Sequence, residues 1–557
     1  MILDARIGDL AGELRAQVAI VGAGAAGIVL ALELADAGID VIVIEAGGDR
    51  FDRASQDIYR AETVVPSTHG PVDMFRRRVL GGSTSVWGGR CIPFDPIDFE
   101  DRPWMAHARW PIGNDEVARH YPKALTYAEA GAPEFNAGAA LPGEPADMAD
   151  GVTSPDVLLD RIERFSHPTD FGRWYRKRIE AHPRIRLLLN APVAEILTGQ
   201  GGIVATGVRT ALPGGRTRDV DASRVVIAAG GLETARLLLA SAGVGAAGLG
   251  NERDLVGRFY QCHLEGEIGR IAFTGKGDDA RIGYERSRDG VYVRRYLWLS
   301  PEAQRAGRLA GLVLRPAHAN IVDPGHRHPV LSAMYLVKNW IVPEYARKLT
   351  SLEDVARSER GSDAAFFAAH ARNLVLGAPR LAAFSLDWTR RRVLARRKLP
   401  SVVLSDPRRV YPLDVNAEQE PNPDSRVTLG EERDALGQRR IRIDWRTTAA
   451  DHERLAEGLR TIERALARSP SVRLDFAGVD VDAAAARRIP VGGHHVGTAR
   501  MAAAPREGVC DANCELFETR GVFIAGAAAF PTSSFANPTL TILALTLRLA
   551  EHLAKSR

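Results

Sequence analysis

The glycine pattern near the N-terminus has the spacing of a phosphate-binding turn. Its members are Gly22, Gly24 and Gly27, in the order Gly-x-Gly-x-x-Gly. The pattern follows the apolar run Val18–Val21 and precedes Ile28–Ala37, whose apolar residues recur at helical spacing. The first glycine permits a tight turn, the second lets a pyrophosphate approach the backbone, and the third lets the helix pack on the strand. Because Glu45 ends a second apolar run, where a carboxylate can bind a ribose hydroxyl, we predict a dinucleotide site; the alternative is a glycine-rich turn of an unrelated α/β protein.

Two adjacent histidines near the C-terminus are candidates for acid–base chemistry. His494 and His495 lie in the sequence GGHHVGTARM, residues 492–501. A neutral imidazole can accept a proton near neutral pH. Asn537 precedes Pro538 at the start of an apolar helical pattern, and a helix that begins there can face an anionic or electron-rich group. Structural hydrogen bonding in a turn is the alternative role of the two histidines.

Other glycine-rich segments could contact the same ligand. Arg76–Asp95 contains two Gly-Gly pairs around small hydroxyl side chains, which suits close passage over a flat or phosphorylated group; a surface loop is the alternative. Val225–Leu239 has the pattern of a buried strand, a glycine turn and a helix. Val522–Ala525 is a short apolar strand that ends at Gly526. These segments must be brought together by one α/β fold.

The order of these patterns predicts a Rossmann-like α/β domain interrupted by a second domain. We expect residues 1–264 to form the first part of the dinucleotide-binding domain, with inserted loops at about 100–180. Residues 265–490 would form a sheet-and-helix substrate domain, and 491–557 would complete the first domain. A helical, arginine-rich insertion at about 332–399 is interpreted as a solvated surface; a surface that meets a membrane or an acidic partner is the alternative.

Composition excludes several classes of protein. The 557 residues carry a net charge of +4, which is too mild to indicate nucleic-acid binding. Four cysteines do not make a disulfide framework, and the pair Cys510 and Cys514 does not make a zinc site, so we predict no metal. No signal peptide and no apolar run long enough for a membrane span are recognised, so a cytoplasmic protein is expected.

The chain resembles the glucose–methanol–choline (GMC) family of flavin-dependent alcohol oxidoreductases. The resemblance rests on the N-terminal glycine pattern with Glu45 and on five further motifs in the family's order. They are GGSTSVWGG at 81–89, VVIAAGGLETARLLL at 225–239, PNPDSRVTL at 421–429, HHVGTARM at 494–501 and AGAAAFPTSSFANPTLTILAL at 525–545. The resemblance extends over about half of the chain, and residues from about 265 to 400 carry none of it.

The resemblance implies FAD as the cofactor. The implied contacts are Gly22, Gly24, Ala25, Ala26, Gly27, Glu45, Ala46, Gly81, Gly82, Ser83, Thr84, Trp87, Gly88, Gly89, Val193, Ala229, Gly230, Gly526, Ala527, Asn537, Pro538 and Thr539. Members that attach FAD covalently use a histidine in the segment that corresponds to Thr84–Trp87. That stretch has no histidine here, so non-covalent FAD is expected.

The resemblance also implies an active-site pair for oxidation of an alcohol. His494 matches the family's base and Asn537 its partner, although the neighbouring His495 could be argued for the first role. His495 and Gln419 are further candidates for contact with substrate, since a polar strand residue could bind sugar hydroxyls. The motif pattern is closest to pyranose- and glycoside-oxidising members, so we expect a sugar or glycoside hydroxyl to be oxidised by hydride transfer to the flavin.

Several alternatives stay open from the sequence. The substrate could be a steroid, terpenoid or aliphatic alcohol, or the reaction could be a lyase without net redox change. The protein could instead be a flavoprotein subunit that docks an electron-transfer partner through residues 385–398. A nicotinamide enzyme would explain the first motif alone. The electron acceptor, which could be oxygen, a quinone or a redox protein, and the oligomeric state are not predicted.

Overall fold

The computed structural model describes residues 1–6, 14–65, 69–167, 169–243, 247–275, 280–341, 362–402, 404–476, 478–487 and 493–556. Within these residues the chain forms four β-sheets and the helices that pack around them. The predicted helical insertion at about 332–399 and the predicted domain boundary at 490 lie partly outside the described residues.

The largest sheet has the layout that the glycine pattern predicts. Its strands are, in spatial order, Ile2–Asp4, Ile185–Leu189, Val41–Ile44, Arg15–Val21, Thr217–Ile227, Val204–Ala211 and Val193–Gly199. The first five strands run parallel, and the last two form an antiparallel extension. Val522–Ile524 pairs in parallel with residues 225–227, so a strand from the C-terminus joins a sheet built from the N-terminal half.

Helices cover this sheet because its central strands are apolar on both faces. Val18 and Ile20 are fully buried. Ala25–Asp36 follows the strand that ends at Val21, and Gly230–Ala240 follows the next parallel strand. The C-terminal helix Thr539–Lys555 packs against Ala25–Asp36. The result is a Rossmann-like α/β domain, which confirms the predicted fold class.

A second sheet supplies the other wall of the molecule. Its antiparallel strands are, in spatial order, Val472–Asp475, Leu264–Phe273, Val410–Ala417, Leu312–Pro316, Leu297–Leu299 and Val157–Leu158. The amphipathic helix Ala449–Leu466 lies on it, and Gly458 faces Leu312 at the contact. Most of these strands come from the region that the sequence assigns to a substrate domain, although the exact domain boundaries stay a prediction.

Two smaller sheets and several short helices complete the described structure. One sheet contains Glu285–Arg286, Tyr292–Arg295, Ile162–Phe165 and Arg90–Cys91, and the other contains Arg426–Arg433, Arg439–Asp444 and Glu62–Thr63. The remaining α-helices in these parts of the chain are Arg53–Gln56, Asn114–Ala118, Tyr121–Ala128, Ala137–Ala140, Phe171–Ala181, Pro301–Gly307 and Val481–Ala486.

The arginine-rich region is helical where it is described. Its elements are Pro329–Ile341, Asp363–Leu376, Ala378–Trp388 and a π-helical turn Thr389–Leu394. A small separate core of Ile321, Val322, Leu331, Tyr335 and Phe366 holds the first two helices. None of the described helices in the protein is long and apolar enough to cross a membrane.

Local patterns in the sequence also predict a hairpin of residues 207–212 and 216–220 and a strand at 401–404. The hairpin is confirmed, because residues 207–211 pair antiparallel with 217–221, and its second strand continues through Val225 to Ile227. The second prediction was wrong where the structure describes the segment, because residues 401, 402 and 404 are not in a strand. An apolar run becomes a strand only when a neighbouring strand is in register to pair with it, which periodicity does not reveal.

Candidate active site

The glycine turn after the strand Arg15–Val21 opens into a cavity. Gly22 has a φ of +104°, and a Cβ there would lie 2.6 Å from the carbonyl oxygen of Ala228. A Cβ on Gly27 would lie 1.9 Å from the carbonyl oxygen of Gly22. In contrast, a Cβ on Gly24 would meet nothing within 4 Å. Gly22 and Gly27 therefore close the turn, while Gly24 leaves open space beside the backbone.

This cavity, of about 240 Å³, brings together most of the predicted site residues. The predicted residues that line it are Gly22, Gly24, Ala25, Ala26, Glu45, Gly82, Ser83, Thr84, Trp87, Ala229, Gly230, His494, His495, Gly526, Ala527, Pro538 and Thr539. Ala46 and Val193 line an adjoining space that shares Gly22, Glu45 and Ala229 with it. The cavity thus runs from the glycine turn past both histidines.

The other predicted glycines support the walls of the cavity. Gly81 has a φ of +92°, and a Cβ there would lie 2.5 Å from the backbone nitrogen of Gly172. The carbonyl of Gly89 accepts a hydrogen bond from the backbone of Ser166 at 2.6 Å. A Cβ on Gly88 would meet nothing within 4 Å. These glycines fold the segment 81–89 over the cavity without all lining it.

Two helices begin at the cavity without side-chain caps. Ala25–Asp36 has Gly24 as its N-cap, and Thr539–Lys555 has Pro538, neither of which caps the helix with a side chain. The first N–H groups of each helix are left for another acceptor, and the helix dipole favours negative charge there. An anionic or electron-rich ligand is therefore suited to both ends.

Glu45 is held at the end of its strand by backbone groups. Its two carboxylate oxygens accept hydrogen bonds from the backbone nitrogens of Ala23 and Gly47, each at 2.8 Å. Burial raises the pKa of the Glu45 carboxyl, and these hydrogen bonds oppose the rise. The carboxylate is thus fixed beside the glycine turn, where the sequence predicts contact with a ribose.

Buried arginines near the cavity were not predicted. Arg76 and Arg77 line it, and Arg76 lies 3.3 Å from Glu233. Arg78 donates to the carbonyl of Ala46 at 3.2 Å. The signal in the sequence was the run of three arginines just before the first Gly-Gly pair. Positive charge there suits a diphosphate.

The structure brings together the predicted catalytic pair. His494 Nε2 lies 3.0 Å from Asn537 Nδ2. The other ring nitrogen of His494, Nδ1, lies 3.5 Å from Glu265 Oε1 and 3.1 Å from Nδ1 of His263. Asn537 Oδ1 is buried and has no hydrogen-bond partner among the described residues. One nitrogen of His494 thus faces a carboxylate and the other faces an amide with a spare acceptor.

These contacts define how His494 can carry a proton. Burial lowers the pKa of His494, while the hydrogen bond to Glu265 opposes that effect. Glu265 is half-buried, and its desolvation would raise its pKa, but its hydrogen bonds with His263 and His494 hold that pKa well below the usual value. A Glu265 carboxylate favours a proton on Nδ1 of His494, which leaves a lone pair on Nε2.

His495 belongs to a different network. Its Nδ1 lies 2.7 Å from the hydroxyl of Tyr260, which also lies 2.7 Å from His69 Nε2 and 3.1 Å from Cys262 Sγ. His69 Nδ1 lies 2.6 Å from the carbonyl oxygen of Gly70, which can only accept, so that nitrogen carries the proton. Burial lowers the pKa of His495 well below its usual value. The groups bonded to His495 are neutral, and the nearby Arg76 guanidinium further disfavours a charged His495.

The residues that hold the two histidines come from one stretch that the sequence analysis missed. Tyr260 and Cys262 contact His495, whereas His263 and Glu265 contact His494. Residues two apart in an extended chain point to the same side. The spacing H-x-E at the start of the strand Leu264–Phe273 was the available signal.

Each network also has the composition of a metal site. The possible ligand atoms of His263, Glu265 and His494 lie within 4.8 Å of one another, as do those of His69, Cys262 and His495. In both groups these atoms already have protein hydrogen-bond partners. Hydrogen bonding explains their arrangement, so we interpret them as polar networks.

Gln419 does not reach the cavity, which corrects its predicted contact with substrate. Its Oε1 accepts from the backbone of Cys262 at 3.0 Å and from Trp445 Nε1 at 2.9 Å. Its Nε2 donates to the carbonyl of Arg446 at 2.8 Å. The side chain is fully buried and braces three segments against each other. We assign Gln419 a structural role.

Comparisons with known proteins match this architecture. The family described as FAD dependent oxidoreductase matches residues 17–309, and the GMC oxidoreductase family matches 421–546. The C-glycoside 3-oxidase of Arthrobacter globiformis is 34% identical over 127 residues, or 22% of each chain. The paromamine 6'-oxidase of Streptomyces fradiae is 26% identical over 285 residues, or 43% of this chain and 52% of that protein. The matches span between 12% and 52% of the length of the curated relatives.

A solved structure shows the fold over the whole length. Pyridoxine 4-oxidase from Mesorbium loti aligns with a TM-score of 0.53 and 18% identity, covering 96% of this chain and 99% of that one. The FAD dependent oxidoreductase match alone spans more than half of the 557 residues, and the GMC match includes the C-terminal helix start with Asn537. The chain therefore belongs to the FAD-dependent oxidoreductases of the glucose–methanol–choline type.

Proposed function

We propose that this protein oxidises a CH–OH group of a small-molecule alcohol, with His494 as the base that accepts the hydroxyl proton. The observation that carries the proposal is the 3.0 Å contact between His494 Nε2 and Asn537 Nδ2 beside the cavity of the glycine turn. A base and an amide donor at that distance can bind one alcohol oxygen between them.

The residues present fit FAD. A Cβ on Gly24, Gly230 or Gly526 would meet only open space, and two uncapped helix ends face the same cavity. Gly22 and Gly24 would face the pyrophosphate, Glu45 would bind the ribose, and Val193 would meet the adenine. Bound FAD supplies the acceptor for the hydride that leaves the carbinol carbon. The absence of histidine from 84–87 supports non-covalent attachment.

The proton chemistry follows from the contacts of His494. With its Nδ1 proton directed at Glu265, Nε2 is the nitrogen that can take the hydroxyl proton. Asn537 Nδ2 then donates to the alcohol oxygen in place of Nε2. Charge that develops on the imidazole is stabilised by the Glu265 carboxylate, which stays ionised.

A sugar or glycoside is the substrate class that we propose. The relatives are named as oxidases of C-glycosides and of paromamine, which supports a hydroxyl on a sugar-like ring. Asn537 Oδ1 is buried without a partner and can accept from a second hydroxyl next to the one that reacts. A simple aliphatic alcohol has no such second hydroxyl.

The test is the visible spectrum of the purified protein under anaerobic conditions as glycosides, free sugars, sterols and simple alcohols are added in turn. We expect a flavin band that glycosides or sugars bleach. A band that sterols or simple alcohols bleach instead would overturn the substrate class. A band that no alcohol bleaches would overturn the proposed activity.

Gly24→Val tests where the cofactor lies. Because nothing lies within 4 Å of a Cβ there, the variant should fold but lose FAD, since the side chain fills the space beside the backbone. Gly283→Val is the matched control, because its Cβ also meets nothing within 4 Å. Flavin content and the thermal unfolding temperature are measured for both variants. A variant that unfolds at the temperature of the original protein but contains less flavin has lost FAD and not its fold. Full flavin content in Gly24→Val would contradict the placement.

We also propose a cytoplasmic location. The four cysteines are all free and buried, which suits a reducing compartment.

A further inference from the structure

The helical segment 378–394 contacts the protein on one side only. It consists of the helix Ala378–Trp388 and the π-helical turn Thr389–Leu394, and none of these residues is buried. At 1.5 Å per residue it is about 25 Å long. Leu381, Phe384 and Trp388 are half-buried, and Trp388 packs against the small core of Phe165, Tyr292 and Leu399. These residues define the inner face.

The outer face of the same segment is apolar as well. Leu386, Val393 and Leu394 follow Ala382 at helical spacing and are 74%, 61% and 76% exposed. Val375 and Leu376, which end the preceding helix, are 76% and 71% exposed. We call these five large side chains, Val375, Leu376, Leu386, Val393 and Leu394, the outer apolar patch. Elsewhere in the described chain, only Met1 among the large apolar residues is more than 60% exposed.

A helix on the surface of a protein in water normally has a polar outer face. Scattered exposed apolar residues are ordinary, but five such highly exposed aliphatic side chains within twenty residues indicate a binding surface. These side chains lie on the exposed face of two consecutive helical segments and not in a pocket, so a small molecule is not the ligand that this surface favours.

The charge around the patch is strongly positive. Residues 362–402 contain eight arginines or lysines and two aspartates, whereas the whole chain has a net charge of only +4. The exposed basic residues Arg372, Arg390, Arg396 and Lys398 make no ion pair with the described part of the chain. The positive charge of the protein is thus concentrated beside its most exposed aliphatic side chains.

We propose that the outer apolar patch docks the protein onto the surface of an anionic lipid bilayer. Aliphatic side chains can enter the boundary between headgroups and acyl chains, while arginine and lysine side chains reach the anionic headgroups. A second copy of the chain would bring the same positive charge to the contact, which opposes self-association through this face. The segment 378–394 has no buried residue and is apolar along its outer face, so in this proposal it lies in the plane of the interface.

Vesicle flotation of the full-length, FAD-loaded protein tests this proposal. The probes are vesicles of phosphatidylcholine with and without phosphatidylglycerol, at low and at high salt. We expect binding to the anionic vesicles at least about tenfold stronger than to the neutral ones, and weakened by salt, because each basic residue adds to the attraction. No binding to anionic vesicles, or equal binding to both kinds, would overturn the proposal.

The double variant Leu386→Ser/Leu394→Ser removes part of the patch and leaves every charge in place. It should lower binding to the anionic vesicles at least about tenfold, with flavin content and turnover in solution unchanged. Ile203→Ser/Val479→Ser, at positions 44% and 38% exposed outside the patch, is the matched control and should bind like the original protein. Unchanged vesicle binding by the first variant would overturn the proposal. So would the finding that the original protein is a dimer and that this variant, but not the control, is a monomer, because the patch would then bind a second copy of the chain.

Discussion

The networks around His494 and His495 differ in one respect that decides their chemistry. The first contains a carboxylate, Glu265, at 3.5 Å from His494 Nδ1. The second contains only a phenol, an imidazole and a thiol around His495. An imidazole that accepts a proton needs a nearby negative charge, particularly when it is buried. The comparison teaches that two histidines adjacent in sequence are suited to different roles, the first as a base and the second as a buried support.

His494 and His495 also differ in how freely a ligand in the cavity can reach them. The side chain of His494 is 23% exposed and its partner Asn537 has an unsatisfied oxygen, so a ligand can complete the group. His495 also lines the cavity, but its Nδ1 ends a chain that runs through Tyr260 to His69 and Gly70. That chain fixes the ring of His495 and, through the backbone, the position of its neighbour.

The largest effect is expected from truncating each histidine in turn. His494→Ala should slow reduction of the flavin by alcohol about 10²–10⁴-fold, because it removes the general base. FAD content should not change. His495→Ala should cause a smaller loss, since that residue is not the base. Stopped-flow measurement of flavin reduction gives both rates. Equal losses, or the larger loss in His495→Ala, would reverse the assignment of roles.

A smaller effect is expected from Glu265→Gln. Neutral His494 is the active form, so activity is lost as the pH falls through its pKa, which burial places below the ordinary value. The Glu265 carboxylate raises that pKa, so its removal should lower it further. The acid limb of kcat/KM should therefore move to lower pH, and kcat should fall because the charged imidazole loses its support.

Glu267→Gln on the same strand is the control for this pH profile, because its side chain is exposed. It should leave the acid limb in place. A shift of the Glu265→Gln limb to higher pH would contradict the role of the carboxylate.

The smallest effect on catalysis is expected from Tyr260→Phe. This variant removes the hydroxyl that lies 2.7 Å from both His69 Nε2 and His495 Nδ1. It takes away the partner of His69 Nε2 and leaves His495 Nδ1 with only Cys262 Sγ, at 3.6 Å. The free energy of unfolding should fall by about 1–3 kcal/mol, while flavin reduction stays close to the original rate. Urea unfolding and stopped-flow kinetics on the same preparation measure both. A large fall in the reduction rate with unchanged stability would move Tyr260 into the catalytic group.

Short-range patterns made much of the α/β domain predictable. Val18–Val21, the glycine turn and the following helix depend on residues within one short stretch, and all three form as expected. Gln419 shows the limit of such reasoning. Its polar side chain suggests contact with solvent or substrate, yet it is fully buried and bonded to Cys262, Trp445 and Arg446. Whether a side chain of a strand is buried or exposed depends on which distant segments pack against that face of the strand.

The sequence by itself determined the turn at Gly22–Gly27, the placement of Glu45 at the end of its strand and the choice of His494 with Asn537 as a candidate pair. Only the tertiary structure decided that His263 and Glu265 support His494, and that Tyr260 and His69 hold His495. The physical reason is distance along the chain. Backbone conformation follows from neighbouring residues, whereas a contact such as that between His69 and Tyr260, 191 residues apart, exists only after the sheets have packed.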